Sequence, residues 1–495
     1  MLTAILIVFP LLAGLLVLVA GNAAAKKIAF SASIIELVIS AFALSQFQIN
    51  DTAQFACNVP WIPTLGIHFN VAMDGISILL VMLTTVLVPL IILSARPGLV
   101  LSPSGRAESG VAFYFLILLM QSALVGVFTS MDGFLFYIFW ELALIPIWFI
   151  CLLWGGEGSA KITFKFFAYT LAGSLLMLVG LIYVYLQTPG THSFDIQALY
   201  AAGAGLSASE QTWIFWALFI AFAIKMPVFP FHTWQPDTYV NAPTQGTMLL
   251  SGIMLKMGTY GVIRWLLPMA PLGVQEWGST AMILSIVGIL YASIIAIMQK
   301  DLKRLIAYSS IAHVGLISAG IFSLTVQGLQ GGVMQMLAHG INVVGLFFVV
   351  DILFNRTGTQ EISKLGGIRN VTPWFATMFM LVLLGSVALP LTNGFVGEFL
   401  LLNGVYQYNA WMAAFAGLTV ILGAVYMLRS YQRTMLGETN PLTSSFTDLN
   451  FNEKAVFVPI VLLIIAMGVY PKPVLDIAGP AILKIVELIH PAVTL

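Results

Sequence analysis

Along almost its whole length the chain repeats one pattern, an apolar run of about twenty residues followed by a short polar connection. A helix of that length crosses the roughly 30 Å hydrocarbon core of a bilayer, where only helices and closed barrels satisfy their own backbone. With 60% hydrophobic and 8% charged residues among 495, the chain reads as an all-α polytopic membrane protein. The longest polar connections, 47–70, 187–211, 355–371 and 434–454, are too short to bury a core, so no soluble domain is expected. Windows of this kind predict about 14 transmembrane helices. Those at 212–240 and 373–403 are broken by proline, one at 244–267 carries a lysine, and an amphipathic tail follows at 474–490.

The stretch 221–261, AFAIKMPVFPFHTWQPDTYVNAPTQGTMLLSGIMLKMGTYG, sets the functional question. It holds Lys225 and Lys256 among apolar residues and is interrupted by Pro227, Pro230, Pro236 and Pro243. An ionised lysine at the centre of a spanning helix costs roughly 3 kcal/mol on insertion scales, so two beside a prolyl break point to an ion path. Proline removes a donor and frees a carbonyl, and transporters use such discontinuous helices where they face a polar cavity. Lys225 is therefore expected at the end of a half-helix. Snorkelling to the interface is the ordinary alternative for lysine. It fits poorly here, because Lys225 follows at least a dozen uncharged residues from Thr212 and Lys256 has apolar or small neighbours on both sides.

Twenty basic and twenty acidic residues balance, so charge favours neither nucleic acid nor an anionic surface as a partner. Sorting the basic residues among the fourteen expected spans places most of them, Arg96 and Arg106 included, in odd-numbered loops, and Arg264, Lys472 and Lys484 in even loops and the tail. Odd loops are then cytoplasmic, with the N- and C-termini outside. The first lysines, Lys26 and Lys27, follow the first apolar run rather than precede it, so that run is expected to be an uncleaved span and not a signal peptide. A weak repeat pairs spans four to eight with nine to thirteen. Each half has its fourth span broken by proline near a membrane charge, Lys225 in one and Glu398 in LPLTNGFVGEFLL in the other. Five spans per repeat make the halves inverted. The expected organisation is 1–110 with three helices, bundles at 111–268 and 278–433, and a C-terminal part at 434–495.

Other polar groups lie in apolar surroundings. Glu141, in FLFYIFWELALIPIWFI, must be protonated or paired. Lys161 and Lys165 share a helix face; Lys161 reads as an interface anchor, and Lys165 fits either role. Ser309 and His313 are one turn apart, and Gln335, His339 and Asn342 draw a polar stripe along one helix. Taken singly, either histidine fits a hydrogen-bonded core position as well as a relay. The stripe favours the relay, since imidazole changes charge near neutral pH. The candidate line for proton transfer is Glu141, Lys225, Lys256, His313 or His339, then Glu398, with Lys165 and His232 as subsidiary members. Cys57 and Cys151 suggest no disulfide, and no ligand cluster for zinc, haem or iron–sulfur is present, so redox chemistry is not expected in this chain.

Phe139-Trp140-Glu141-Leu142, the block from Ala221 to Gly261, Ala307-Tyr308-Ser309-Ser310-Ile311-Ala312-His313 and Gly394-Phe395-Val396-Gly397-Glu398-Phe399 resemble the antiporter-like subunits of complex I, the proton-pumping NADH:quinone oxidoreductase. The resemblance covers about 70–435. Glu at 398, where the L and N relatives and Mrp antiporter subunits usually carry Lys, places it nearest the M-type branch. It implies fourteen helices in two inverted bundles, a Glu141–Lys225 ion pair, Lys256 as central relay and Glu398 near the outer exit. It also implies that NADH, FMN, iron–sulfur clusters and quinone are carried by other subunits, with L- and N-type subunits and the lipid bilayer as partners and a bacterial inner membrane as location. Thr238-Tyr239 departs from the family's usual Ala-His, which puts the role of that histidine in doubt here. Competing readings are an Mrp-type cation/proton antiporter subunit, and a passive scaffold, which the insertion cost of the buried charges argues against.

Overall fold

The computed structural model describes residues 1–95 and 110–489, so Arg96 and Arg106 of the topology count lie outside the described residues. The chain opens with α1 (Leu2–Ala20), α2 (Asn22–Gln46) and α3 (Gly75–Ser94). Then come α4 (Gly110–Thr129), α5 (Gly133–Trp154), α6 (Ser159–Leu186), the short α7 (Ile196–Ala204), α8 (Ala208–Lys225) and α9 (Gln235–Asn241). Helices α10 (Thr244–Leu249), α11 (Leu255–Gly261) and α12 (Leu267–Met269) are joined by π-helical turns at Leu250–Met254 and Val262–Leu266. The later part holds α13 (Pro271–Met298), α14 (Leu302–Ile321), α15 (Val326–Thr357), α16 (Pro373–Ser386), α17 (Asn393–Tyr408), α18 (Ala410–Met435), α19 (Phe451–Val469) and α20 (Lys472–Ile489). Among the described residues, 11 of these are long and apolar enough to cross a membrane: α1 to α6, α13 to α15, α18 and α19. The other expected spans fall on interrupted elements, 212–240 on α8 and α9, 244–267 on α10 to α12, and 373–403 on α16 and α17.

The expectation of a purely helical chain is corrected by a hairpin in the first long connection. Strand β1 (Gln54–Ile62) pairs antiparallel with β2 (Ile67–Met73), Val59 opposite Phe69. Gly66 closes the intervening turn at φ 61°, a left-handed conformation glycine adopts without a Cβ penalty. Residues too few and too polar for a span thus satisfy their backbone against each other.

Two local patterns occur twice. Asp132 caps α5 by accepting from the backbone N–H of Phe134 and Leu135, and Asp301 caps α14 through Arg304. Each of these aspartates also makes an isolated β-bridge, Asp132 to Asp195 and Asp301 to Glu361. Burial pushes both carboxyls up from the usual range, while the bonds from backbone N–H groups pull them back. The second pattern lies at the helix breaks. After α8, Met226 N–H donates to Phe222, Val228 to Ala223 and Phe231 to Val228; after α16, Val387 donates to Leu383, Leu389 to Leu384 and Thr392 to Leu389. The two sets keep one constant offset along the chain. In that register Lys225 corresponds to Ser386, and Glu398 to Asp237. Lys225 and Glu398 are therefore not equivalent positions, although each lies near a break.

Arg264, expected in an external loop, is buried within the second π-turn. Its guanidinium pairs with Asp74, whose other oxygen caps α3 through Ile76 and Ser77. Tyr260 accepts from Arg264 Nε at 3.3 Å and donates to Phe128 at 3.0 Å, and Tyr200 donates to the Arg264 carbonyl. The apolar WLLPM after Arg264 continues the helix, which keeps the arginine inside. Removing one partner of a buried pair typically costs about 3–5 kcal/mol. Arg264→Met should therefore lower the thermal unfolding midpoint in detergent sharply, and adding Asp74→Asn should recover most of the loss; equal midpoints for wild type and the single variant would show that the pair is not holding these helices together.

Candidate functional site

Helix α8 ends at Lys225, as expected of a half-helix, because Pro227 and Pro230 cannot continue the hydrogen-bond ladder. Lys225 is 2% exposed, and its ammonium lies 5.0 Å from the centroid of Trp140, with no hydrogen-bond partner. A desolvated ammonium over indole gains about 2 kcal/mol from the ring quadrupole. Glu141, the next residue, carries the charge that acts on Lys225, yet no ion pair within 4.0 Å joins the two among the described residues. The direct Glu141–Lys225 pair is thus corrected to a longer-range interaction, with the indole in contact with the lysine. One carboxyl oxygen of Glu141 is buried and unpartnered.

Lys256 sits in α11 between the two π-turns, and such local widenings of the helix recur at functional sites. Gly258 lets α8 approach: a Cβ there would lie 2.8 Å from the Phe222 carbonyl oxygen and 2.9 Å from the Met226 nitrogen. The close fit seats Lys256 beside the end of the half-helix that carries Lys225. Lys256 is 1% exposed; its Nζ donates to the Ser251 carbonyl at 2.6 Å and lies 2.9 Å from Nδ1 of His339 on α15. The other nitrogen of His339 is 3.0 Å from Ser310 Oγ on α14, which is 3.0 Å from Ser251 Oγ.

Glu398, on α17, is 3% exposed and lies 3.1 Å from His313 Nδ1, at ion-pair distance without hydrogen-bond alignment. Gln335 donates to the same carboxyl oxygen at 3.4 Å. The two histidine rings are 5.8 Å apart, centroid to centroid. Between them a cavity of about 10 Å³ is lined by Ser309, Ser310, His313, Gln335, His339 and Asn342, among others. A polar space of that size is at the lower limit of what one water needs. Tyr426 on α18 donates to Ser309 at 3.1 Å and so closes this group from the far side.

Toward the expected cytoplasmic side, Lys165 donates to the Thr233 carbonyl at 2.8 Å and lies 3.5 Å from Asp237. His232 is buried, stacked on Phe229, with Nδ1 unpartnered. The first two turns of α14 are tied to α9 and its C-terminal cap: Lys303 donates to the carbonyls of Val240 and Ala242, Arg304 lies 3.2 Å from Asp237, and Gln235 donates to the Ala307 carbonyl at 3.2 Å. Lys303, expected in a loop, is 2% exposed. The structure therefore brings Lys256, His339, His313 and Glu398 together, keeps Lys225 and Glu141 on neighbouring helices, and sets Lys165 and His232 apart near Asp237.

A family model described as "NADH:quinone oxidoreductase/Mrp antiporter, TM" matches residues 130–423, which contain every one of these groups. The chain belongs to that family. Among its members, NADH-quinone oxidoreductase subunit M of Rickettsia prowazekii (strain Madrid E) is 43% identical over 452 residues, 91% of this chain and 90% of that protein. NADH-ubiquinone oxidoreductase chain 4 of Marchantia polymorpha is 38% identical over 489 residues, 97% of this chain and 96% of that protein. A chain of respiratory complex I from Thermus thermophilus with bound NADH shares the fold at a TM-score of 0.90 and 30% identity, over 99% of this chain and all of that one. A chain of the Mrp complex from Dietzia sp. DQ12-45-1b matches at 0.85, over 97% of this chain and 52% of that one; at 18% identity this likeness concerns the fold alone.

Within this family member, sequence reasoning missed Ser310, Ser251, Trp140 and Tyr426. Ser310 stood beside Ser309 in the quoted motif, and a hydroxyl one turn before His313 was the available signal. The α8–α11 contact gives a stability contrast. Gly258→Ala forces the backbone apart and should cost about 1–3 kcal/mol by overpacking, whereas Gly417→Ala in α18, with open space around it, should be neutral or gain a few tenths. Thermal midpoints of the two variants in the same detergent decide it; equal midpoints would mean that α8 and α11 are loosely packed.

Proposed function

We propose that this chain is a membrane-arm subunit of NADH:quinone oxidoreductase that moves protons through Lys225, Lys256, His339, Ser310, His313 and Glu398, driven by electron transfer in other subunits. The observation that carries the reading is the buried series Lys256–His339–Ser310 standing beside His313–Glu398. Imidazole accepts a proton on one nitrogen and releases one from the other, so His339 links Lys256 to Ser310. A single water in the cavity would carry the step on to His313, which faces Glu398. Lys225 feeds Lys256 across the α8–α11 contact, and Glu398 passes the proton outward. Lys165 and His232 serve the cytoplasmic approach.

Glu141 sets how firmly Lys225 holds its proton. At an effective dielectric of about 20 a pair at 4 Å gains about 4 kcal/mol, so the longer separation here gives less. Moving one charge against the membrane potential costs about 2.3 kcal/mol per 100 mV, and a closer approach of Glu141 to Lys225 during turnover brings the two magnitudes level.

On this reading NADH, FMN, the iron–sulfur clusters and quinone sit on other subunits, and L- and N-type antiporter-like subunits flank the chain in a bacterial inner membrane. Fourteen crossings put both termini outside. Bundles at 111–268 and 278–433 form an inverted repeat between an N-terminal part, 1–110, and a C-terminal part, 434–495. The doubled capping and helix-break patterns support that repeat. A role in an Mrp-type antiporter is the second reading. The identity to subunit M and chain 4 proteins, over nine tenths of both chains, favours the first.

In proteoliposomes holding the whole complex, Lys225→Ala and Glu398→Gln should each reduce proton pumping at least tenfold, with Glu398→Asp milder because it keeps a titratable carboxyl. Glu141→Gln should also abolish coupled pumping, and Glu141→Asp should retain part of it. Normal pumping by the Lys225 and Glu398 variants would end the proposal.

A further inference from the structure

Helix α2 lies outside the proposed relay, yet near its middle it carries a second carboxyl that the relay does not use. Glu36 is 0% exposed, and both of its oxygens are buried without a hydrogen-bond partner. It lies on the inward face of α2 with Ser33 one turn before and Ser40 one turn after. Ser40 is bonded to Thr85 of α3 at 2.7 Å. Opposite Glu36 on the antiparallel α3 this register places the region of Pro89, whose missing N–H leaves the Thr85 carbonyl free of its helical bond.

A second observation comes from α4. Gln121 is 0% exposed, and both atoms of its amide are unpartnered. The next residue, Ser122, donates to the Ile7 carbonyl of α1 at 2.6 Å. Ile7 and Glu36 stand almost equally far from the Gly21 turn that joins α1 to α2, so Gln121 and Glu36 lie at one depth on helices that pack together. Two fully buried, unsatisfied polar side chains at one level of the bilayer are costly unless a proton neutralises the acidic one.

Among the described residues, the charged groups of these four helices that could serve as a partner to Glu36 are few. Helices α1 and α3 carry no titratable side chain, α4 carries only Tyr114, and the lysines of α2, Lys26 and Lys27, are at its far end. Lys26 is engaged by the carbonyls of Leu93 and Ala95. An isolated carboxylate in hydrocarbon is too costly to persist, so the species that fits is the smallest cation. We propose that Glu36, with Gln121 as its neutral neighbour, is a second proton-binding site of this subunit, housed among α1 to α4. Helix α3 stands between it and the relay, packing on α2 and also on α15. The site exchanges its proton independently of the Lys256–Glu398 series.

Infrared difference spectra of the intact complex, wild type against Glu36→Gln, test this directly. The expected result is one buried carboxylic C=O band that is lost in the variant and shifts in deuterium oxide, showing that the proton exchanges. A carboxylate band in its place, or a carboxylic band that does not shift, overturns the proposal. Labelling with dicyclohexylcarbodiimide, which adds to protonated carboxyls in apolar surroundings, gives the site. A peptide adduct at residue 36 that survives Glu398→Gln supports an independent site, and labelling at 398 without any at 36 overturns it. Neither readout requires pumping, so the failure of this proposal and that of the relay are distinguishable.

Discussion

Everything in this fold answers to the rule that a backbone polar group in hydrocarbon must find a partner inside the protein. Two of the expected spans are nevertheless broken beside proline, and at both the chain solves the problem the same way. A final helical bond, a bond one residue longer and a tight turn follow Phe222 and Leu383 alike. The second break is held with Ala388 at φ 56° and Leu391 at φ 75°, conformations that a residue with a Cβ adopts only under constraint. The stored cost lies within a few residues of Asn393 and Gly394, at the start of the helix that carries Glu398. Irregular backbone is being maintained where the buried charges are, and the rest of the bundle exists to shield it.

Much of this was legible from residue order. Long apolar runs gave nearly all the helices, and the lysine–proline stretch located the first break to the residue, with Lys225 ending its helix. The polar stripe on α15 identified His339, because period alone tells which side chains share a face. What escaped notice has a physical pattern. Arg264 reads as a loop residue because its partner Asp74 is far away in sequence, and pairing across such a separation leaves no local mark. The hairpin at 54–73 was hidden because a length count separates spans from connections without asking how a connection satisfies its own backbone.

The same limit explains the Glu141–Lys225 geometry. A sequence shows that two opposite charges are present in the membrane, but it does not show that an indole from the neighbouring position lies against the ammonium. The aromatic face stabilises the lysine without neutralising it, so its charge still responds to a carboxylate farther away. A direct bond would have traded that responsiveness for stability.

The ties between α9 and the start of α14 reach further than their local packing. Helix α14 carries Ser310 and His313, while α9 continues the broken helix that ends at Lys225, so the ties made by Lys303, Arg304 and Gln235 join the two halves of the polar series mechanically. The helix that presents His313 is thereby held to the helix that follows the first break. The start of α14 is thus the place where the part of the chain that carries Lys225 and the part that carries His313 are fastened to each other.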